Sequence, residues 1–110
     1  MLGKSIIFRL VLPALIYTCP VFASDTQMER QQELLYMLKH DCGSCHGMRL
    51  TGGLGPPLTR DALKSKNSSM LMNSITEGHT GTAMPAWKGI LNDGDIDWLV
   101  SRLREGIQEY

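Results

Sequence analysis

The sequence predicts an all-α fold. Segments 26–40 and 92–107 repeat apolar residues at helical spacing, while no stretch of the 110 residues alternates apolar and polar side chains as a strand would. Glycine and proline gather in the connections between the periodic segments. No internal repeat interrupts this organisation.

The N-terminus reads as a processing segment rather than a structural element. Lys4 and Arg9 precede an apolar run over 10–17 broken only by Pro13, and Val21-Phe22-Ala23 then gives way to the polar Ser24-Asp25. This is the pattern of a secretory signal peptide over residues 1–23, with cleavage expected after Ala23. The uninterrupted apolar part falls well short of the roughly 20 residues a membrane span needs, so no permanent membrane anchor is expected. Cys19 invites a lipidated reading, but Tyr17-Thr18 replaces the small residues that reading requires.

Export would leave residues 24–110 as one small domain of 87 residues, with little apolar core of its own. It retains nine basic residues against 11 acidic ones, a formal charge of −2. Nucleic acid is an unsuitable partner for such a chain, which shows no basic stripe in sequence. An exported protein acting as a monomer is the expectation.

Along the chain, residues 26–40 are rich in Gln, Glu, Leu and Met, and Leu34, Leu35 and Leu38 fall at i, i+1 and i+4 of an amphipathic helix. From Gly43 to Pro57, four further glycines and a second proline predict an irregular loop. A short helix is expected over 70–77, stopped by Gly78. The final helix is the clearest: Asn92 can cap it with Asp95 completing a capping box. Ile96, Leu99, Val100, Leu103 and Ile107 form its apolar face, and Arg102 and Arg104 suit its C-terminal end.

Cys42-Gly43-Ser44-Cys45-His46 is the motif that carries chemistry. Cys-x-x-Cys-His is the attachment sequence for covalent c-type haem: two thiols add across the porphyrin vinyl groups, and the adjacent imidazole meets the iron. A disulfide is the first alternative in an oxidising compartment. A thioredoxin-like site would want a preceding strand and a βαβ setting, which the sequence lacks. Zinc would want a second Cys/His pair, and none follows. Haem c is therefore the expected cofactor, with Cys42 and Cys45 as its attachment points and His46 as an iron ligand.

A methionine thioether commonly completes such an iron. Met28 and Met37 lie in the first helix, and Met48 is too close to His46 in sequence to reach the opposite porphyrin face. Met70 and Met72 flank Leu71, so at most one can point inward, and most of these methionines are expected to be core filler. Met84 sits instead in Gly78-His79-Thr80-Gly81-Thr82-Ala83-Met84-Pro85-Ala86-Trp87, between two expected helices, and Pro85 biases it toward an extended backbone. Met84 is assigned as the second axial ligand. His79, in the same loop, is the competing donor, and His40 is badly placed to cross to the distal side.

This arrangement resembles the class I cytochromes c: a small monohaem domain whose N- and C-terminal helices cross around a covalent haem. The resemblance spans nearly all of residues 24–110. It implies packing of Leu34, Leu35 or Leu38 against Leu99 and Leu103, and it places the Pro56 carbonyl on the ring nitrogen of His46 that does not meet iron. More narrowly, residues 41–56 and Gly81-Thr82-Ala83-Met84-Pro85-Ala86-Trp87 resemble cytochrome c55X, the small cytochrome found with haem-d1 nitrite reductase in denitrifying bacteria. Ala83 and Ala86 depart from the proline-richer loop of that group. The implied role is a periplasmic electron carrier for nitrite reductase, and a second is help with haem d1 assembly or insertion.

The residues around the motif admit further roles. Trp87 either packs on the porphyrin, donates to a propionate, or is a plain core aromatic; Trp98 faces either the core or solvent. Arg49 and Arg60 are candidates for propionate pairing, and Lys64, Lys66 and Lys88 for a docking surface. A sensor or enzyme would need an open iron and a distal acid/base group, and the sequence offers no such constellation. The expected chemistry is outer-sphere electron transfer, not catalysis.

Overall fold

The computed structural model describes residues 23–107, and among these residues every regular element is helical. Residues 1–22 of the expected leader lie outside them. The chain opens with α1, Ala23–Met37, which runs directly into a π-helical turn, Leu38–Cys42, and then α2, Gly43–His46. After a long loop come α3, Arg60–Leu63, α4, Ser68–Glu77, and α5, Asp93–Glu105.

The core forms where α5 meets the other helices. Leu34 and Leu38 from the first segment share one buried cluster with Leu50, Leu63, Leu91, Ile96, Leu99, Val100 and Leu103. The expected helix faces are thus correct for Leu34 and Leu38, whereas Leu35 is exposed. At the other end of the contact, Arg30 Nη2 and Nε donate to the two carboxylate oxygens of buried Asp95 at 2.7 and 3.1 Å.

α5 begins as its capping chemistry dictates. The Asn92 side chain accepts from the Asp95 amide at 2.9 Å, and the Asp95 carboxylate accepts in return from the Asn92 amide at 3.1 Å. Two orphan donors at the helix start are satisfied reciprocally. The helix stops at Glu105, before Gly106 at φ 84, so Ile107 leaves the helix yet still packs half-buried on the core. Thr59 and Asn67 cap α3 and α4 by accepting from Ala62 and Met70 amides.

Three expectations need correction. Residues 43–46 are helical rather than loop, because the polypeptide continues from α1 through the π turn into the motif. α4 starts two residues earlier than the apolar pattern suggests, since Asn67 supplies the cap. Among the methionines expected to fill the core, Met28, Met48 and Met70 are exposed, while Met37 and Met72 do pack against it.

Candidate haem site

The two thiols are displayed by a change of helical pitch. In an unbroken α-helix, the stripe through Leu34 and Leu38 would continue near position 42. Here the Gly43 amide donates to the Leu38 carbonyl, five residues back, so Gly43 takes the buried position above Leu38. Cys42 is thereby turned to the edge of the core, half-buried at the end of the π turn, with Cys45 three residues on in α2. Residues three apart on a helix share a face, which is the spacing two vinyl groups require.

Both cysteines are free thiols. Burial, with the neighbouring Asp41 carboxylate, pushes the Cys42 thiol up to about 11. A reactive dithiol motif has the opposite signature, a thiol lowered toward neutrality. Among the described residues, no three His, Cys, Asp or Glu side chains stand together as a metal-binding group.

His46 is oriented by the loop that follows it. The Gly55 amide donates to the Cys45 carbonyl at 2.7 Å and the Gly52 amide to the His46 carbonyl at 2.8 Å, which caps the end of α2 and folds the loop back over it. Pro56 then brings its carbonyl oxygen to 2.6 Å from His46 Nδ1, as the resemblance implies. A carbonyl only accepts, so Nδ1 carries the proton and the lone pair stays on Nε2, the nitrogen left for a metal. Gly55 lies against the imidazole so closely that a Cβ there would stand 2.8 Å from ring atoms. The donor set therefore fits a covalent haem: two half-buried free thiols three residues apart along one helical run and an imidazole held in the metal-binding tautomer.

Met84 is half-buried in a loop whose ends are tied together. Trp87 and Lys88 amides donate to the Ile75 and Thr76 carbonyls at the end of α4, and Lys88 Nζ pairs with Glu77 at 2.7 Å. Gly78, at φ 63, admits the Pro85-Ala86 backbone so closely that a Cβ would meet it at 2.5 Å. Within the loop, the His79 amide donates to the Met84 carbonyl and Thr82 Oγ1 accepts from the Met84 amide. His79 and Met84 are thus neighbours by backbone, with the His79 side chain exposed.

The remaining candidates separate. Trp87 and Trp98 both pack half-buried against the core, and the Arg102 guanidinium lies 6.0 Å from the Trp98 ring centre. Arg49 and Arg60 line a cleft beside Ile107, with Lys64 close by. Lys88 is taken up by Glu77. Sequence reasoning missed Gly55 and the π turn; the only signal for the first was its place before Pro56, and the second had none.

Comparison with known proteins agrees with this geometry. A family model described as cytochrome C oxidase, cbb3-type, subunit III matches residues 29–101. Cytochrome c55X of Stutzerimonas stutzeri is 46% identical over 105 residues, 96% of this chain and 88% of that protein. A solved c-type cytochrome, NirC, superposes with a TM-score of 0.69 at 51% identity, covering 70% of this chain and 91% of its own. Dihydro-heme d1 dehydrogenase NirN, solved in complex with DHE, superposes with a TM-score of 0.62 at 28% identity, over 68% of this chain and 16% of its own.

Proposed function

The chain belongs to the cytochrome c55X family of c-type cytochromes, monohaem electron carriers with a covalent haem c, and from that premise we propose its ligands, compartment and partner. Cys42 and Cys45 form the thioethers, His46 Nε2 and the Met84 thioether are the axial donors, and residues 1–23 are removed on export to the periplasm. The acceptor is a haem-d1 nitrite reductase. The observation that carries the site assignment is the 2.6 Å bond between His46 Nδ1 and the Pro56 carbonyl, which leaves Nε2 as the free donor directly after two thiols along one helical run.

The haem supplies a one-electron iron couple. The polypeptide fixes how that couple is held. Pro56 keeps the imidazole in one tautomer and makes it more basic. The bonds from Trp87 and Lys88 to the end of α4 hold the Met84 loop against loss of its thioether. His46 and Met84 would together hold the iron, and with both donors fixed by their loops the polypeptide would change little on electron transfer and leave no place for a small ligand.

The test is the absorption spectrum of the exported holoprotein in both oxidation states, with and without carbon monoxide. The expected result is a thioether-to-ferric-iron charge-transfer band that vanishes in Met84→Ala, and no gas binding by the reduced wild type. Ready carbon monoxide binding by the wild type without that band would discard Met84 as an axial ligand. Fast reduction of a haem-d1 nitrite reductase by the reduced protein tests the partner.

A second reading is favoured by the likeness to dihydro-heme d1 dehydrogenase: a role in haem d1 assembly or insertion. Co-purification of a transferable second tetrapyrrole, with slow reduction of nitrite reductase, would select it over the carrier.

A further inference from the structure

The end of α5 carries a charged surface. One cleft of about 210 Å³ opens among Arg60, Leu63, Lys64 and Arg104. A second of about 100 Å³ opens among Arg49, Leu58, Arg60 and Ile107. They share Arg60, so the two clefts adjoin there as a groove in two parts, with cations on the walls of each and buried Leu63 lining the first and Leu50 the second. Arg104 is held in place by donating to the Lys66 carbonyl. Among the described residues, Arg49, Arg60 and Arg104 have no carboxylate partner; Asp61 reaches only Lys64, at 3.9 Å, and Glu105 pairs with Arg102.

The opposite end of α5 has the opposite sign. Asp93, Asp95 and Asp97 open the helix, and the Arg30 to Asp95 contact brings α1, with its Asp25, Glu29 and Glu33, beside them. Thirteen helical residues separate the two ends by about 20 Å. In a domain with more acidic than basic residues, Arg49, Arg60 and Arg104, which have no carboxylate partner among the described residues, thus line adjoining clefts beside Lys64. Such sorting creates a directional field that steers a complementary partner and fixes its register.

We propose that this groove docks an acidic protein surface, with several Asp or Glu side chains seated between Arg49, Arg60, Lys64 and Arg104. A single small anion would occupy only one of the two clefts, whereas carboxylates displayed together engage the cations on both sides of Arg60. The groove also borders the candidate haem site. Leu50 and Leu58, joined by the 2.8 Å bond from the Leu58 amide to the Leu50 carbonyl, close the loop that presents Pro56 to His46. A partner in the groove lies against the support of the imidazole.

The experiment titrates isotope-labelled holoprotein with an oligoglutamate peptide, follows backbone amide shifts, and repeats the titration with inorganic phosphate. Expected are shifts confined to residues 49–50, 58–64 and 104–107, and an affinity that falls about tenfold or more when salt is raised until surface charges are screened. The double variant Lys64→Glu/Arg104→Glu loses binding by about tenfold or more at low salt with an unchanged haem spectrum. Should that variant yield no holoprotein, Arg60→Gln and Lys64→Gln are each expected to weaken binding several-fold. Shifts elsewhere, or affinity indifferent to these substitutions, would overturn the proposal. So would phosphate reproducing the full set of shifts, which would mark a small-anion site, or tighter peptide binding in Glu109→Gln, which would assign the groove to the chain's own tail.

Discussion

At the scale of single residues, the candidate site depends on one glycine as much as on its named donors. Gly55 lets the imidazole of His46 lie against the backbone while Pro56 accepts from Nδ1. In Gly55→Ala the new methyl must push the ring or the loop aside, and the Nδ1 bond lengthens. A less basic imidazole donates less charge to the iron, so the reduction potential of the variant should rise; a redox titration of wild type and variant reads it directly. An unchanged potential would mean that the bond to Pro56 has no hold on the iron. The role of Pro56 is legible from the resemblance, because it follows the motif at a recognisable distance. Gly55 reads in sequence only as a loop residue, since a 2.8 Å approach between backbone and ring has no sequence pattern.

At the scale of elements, legibility follows the kind of signal. The Asn92 to Asp95 capping box and the apolar face of α5 are local, and the structure reproduces both. Asn92→Ala should cost about 1 kcal/mol in unfolding free energy, measurable by denaturant titration of the holoprotein. The π turn is not local in the same sense. It arises because Leu34 and Leu38 must face the core while Cys42 must leave it, and a five-residue turn meets both demands. Deleting His40 leaves Gly43 four residues after Leu38, so an ordinary α-helical bond seats it in the same buried position with Cys42 just before it. The variant should therefore still attach haem through both thiols, read as an unshifted reduced spectrum of the alkaline pyridine adduct.

The contact between α1 and α5 also carries a pH dependence. Hydrogen bonds from Arg30 hold the Asp95 carboxyl below its usual value; burial works against this, and the Asn92 amide and the Arg30 charge add to it. A carboxyl lowered in the folded state contributes stability that is complete above its unfolded pKa of about 4 and lost as pH falls through the folded value. Thermal unfolding of the wild type should therefore weaken on acidification below about pH 4, while Asp95→Asn starts less stable at neutral pH and falls less steeply. Parallel curves for the two proteins would show that the pair has no net effect on folding.

At the scale of the whole molecule, charge and packing are both distributed in ways that one-dimensional reading misses. Arg49, Arg60 and Arg104 come from separate segments, so a sequence without a basic stripe folds into a protein with a basic groove. Packing is equally uneven: α5 buries Asp95, Ile96, Leu99, Val100 and Leu103, whereas α4 buries no residue fully and offers only half-buried Leu71, Met72 and Ile75. The Met84 loop hangs from the end of α4 through the Ile75 and Thr76 carbonyls, so the least buried helix carries the proposed axial methionine. In so small a domain a covalent cofactor acts as a staple, and its stabilisation should be felt most where the polypeptide's own packing is thinnest. Hydrogen exchange of holoprotein against the haem-free Cys42→Ser/Cys45→Ser variant should show amides of residues 68–88 losing protection in the variant, while those of α5 around Leu99 and Val100 keep more of theirs. Uniform loss across both regions would mean that the leucine core does not stand without the haem. Equal protection of residues 68–88 in the two proteins would mean that the haem makes no contribution to holding the Met84 loop, and would remove the structural reason for placing the second axial ligand there.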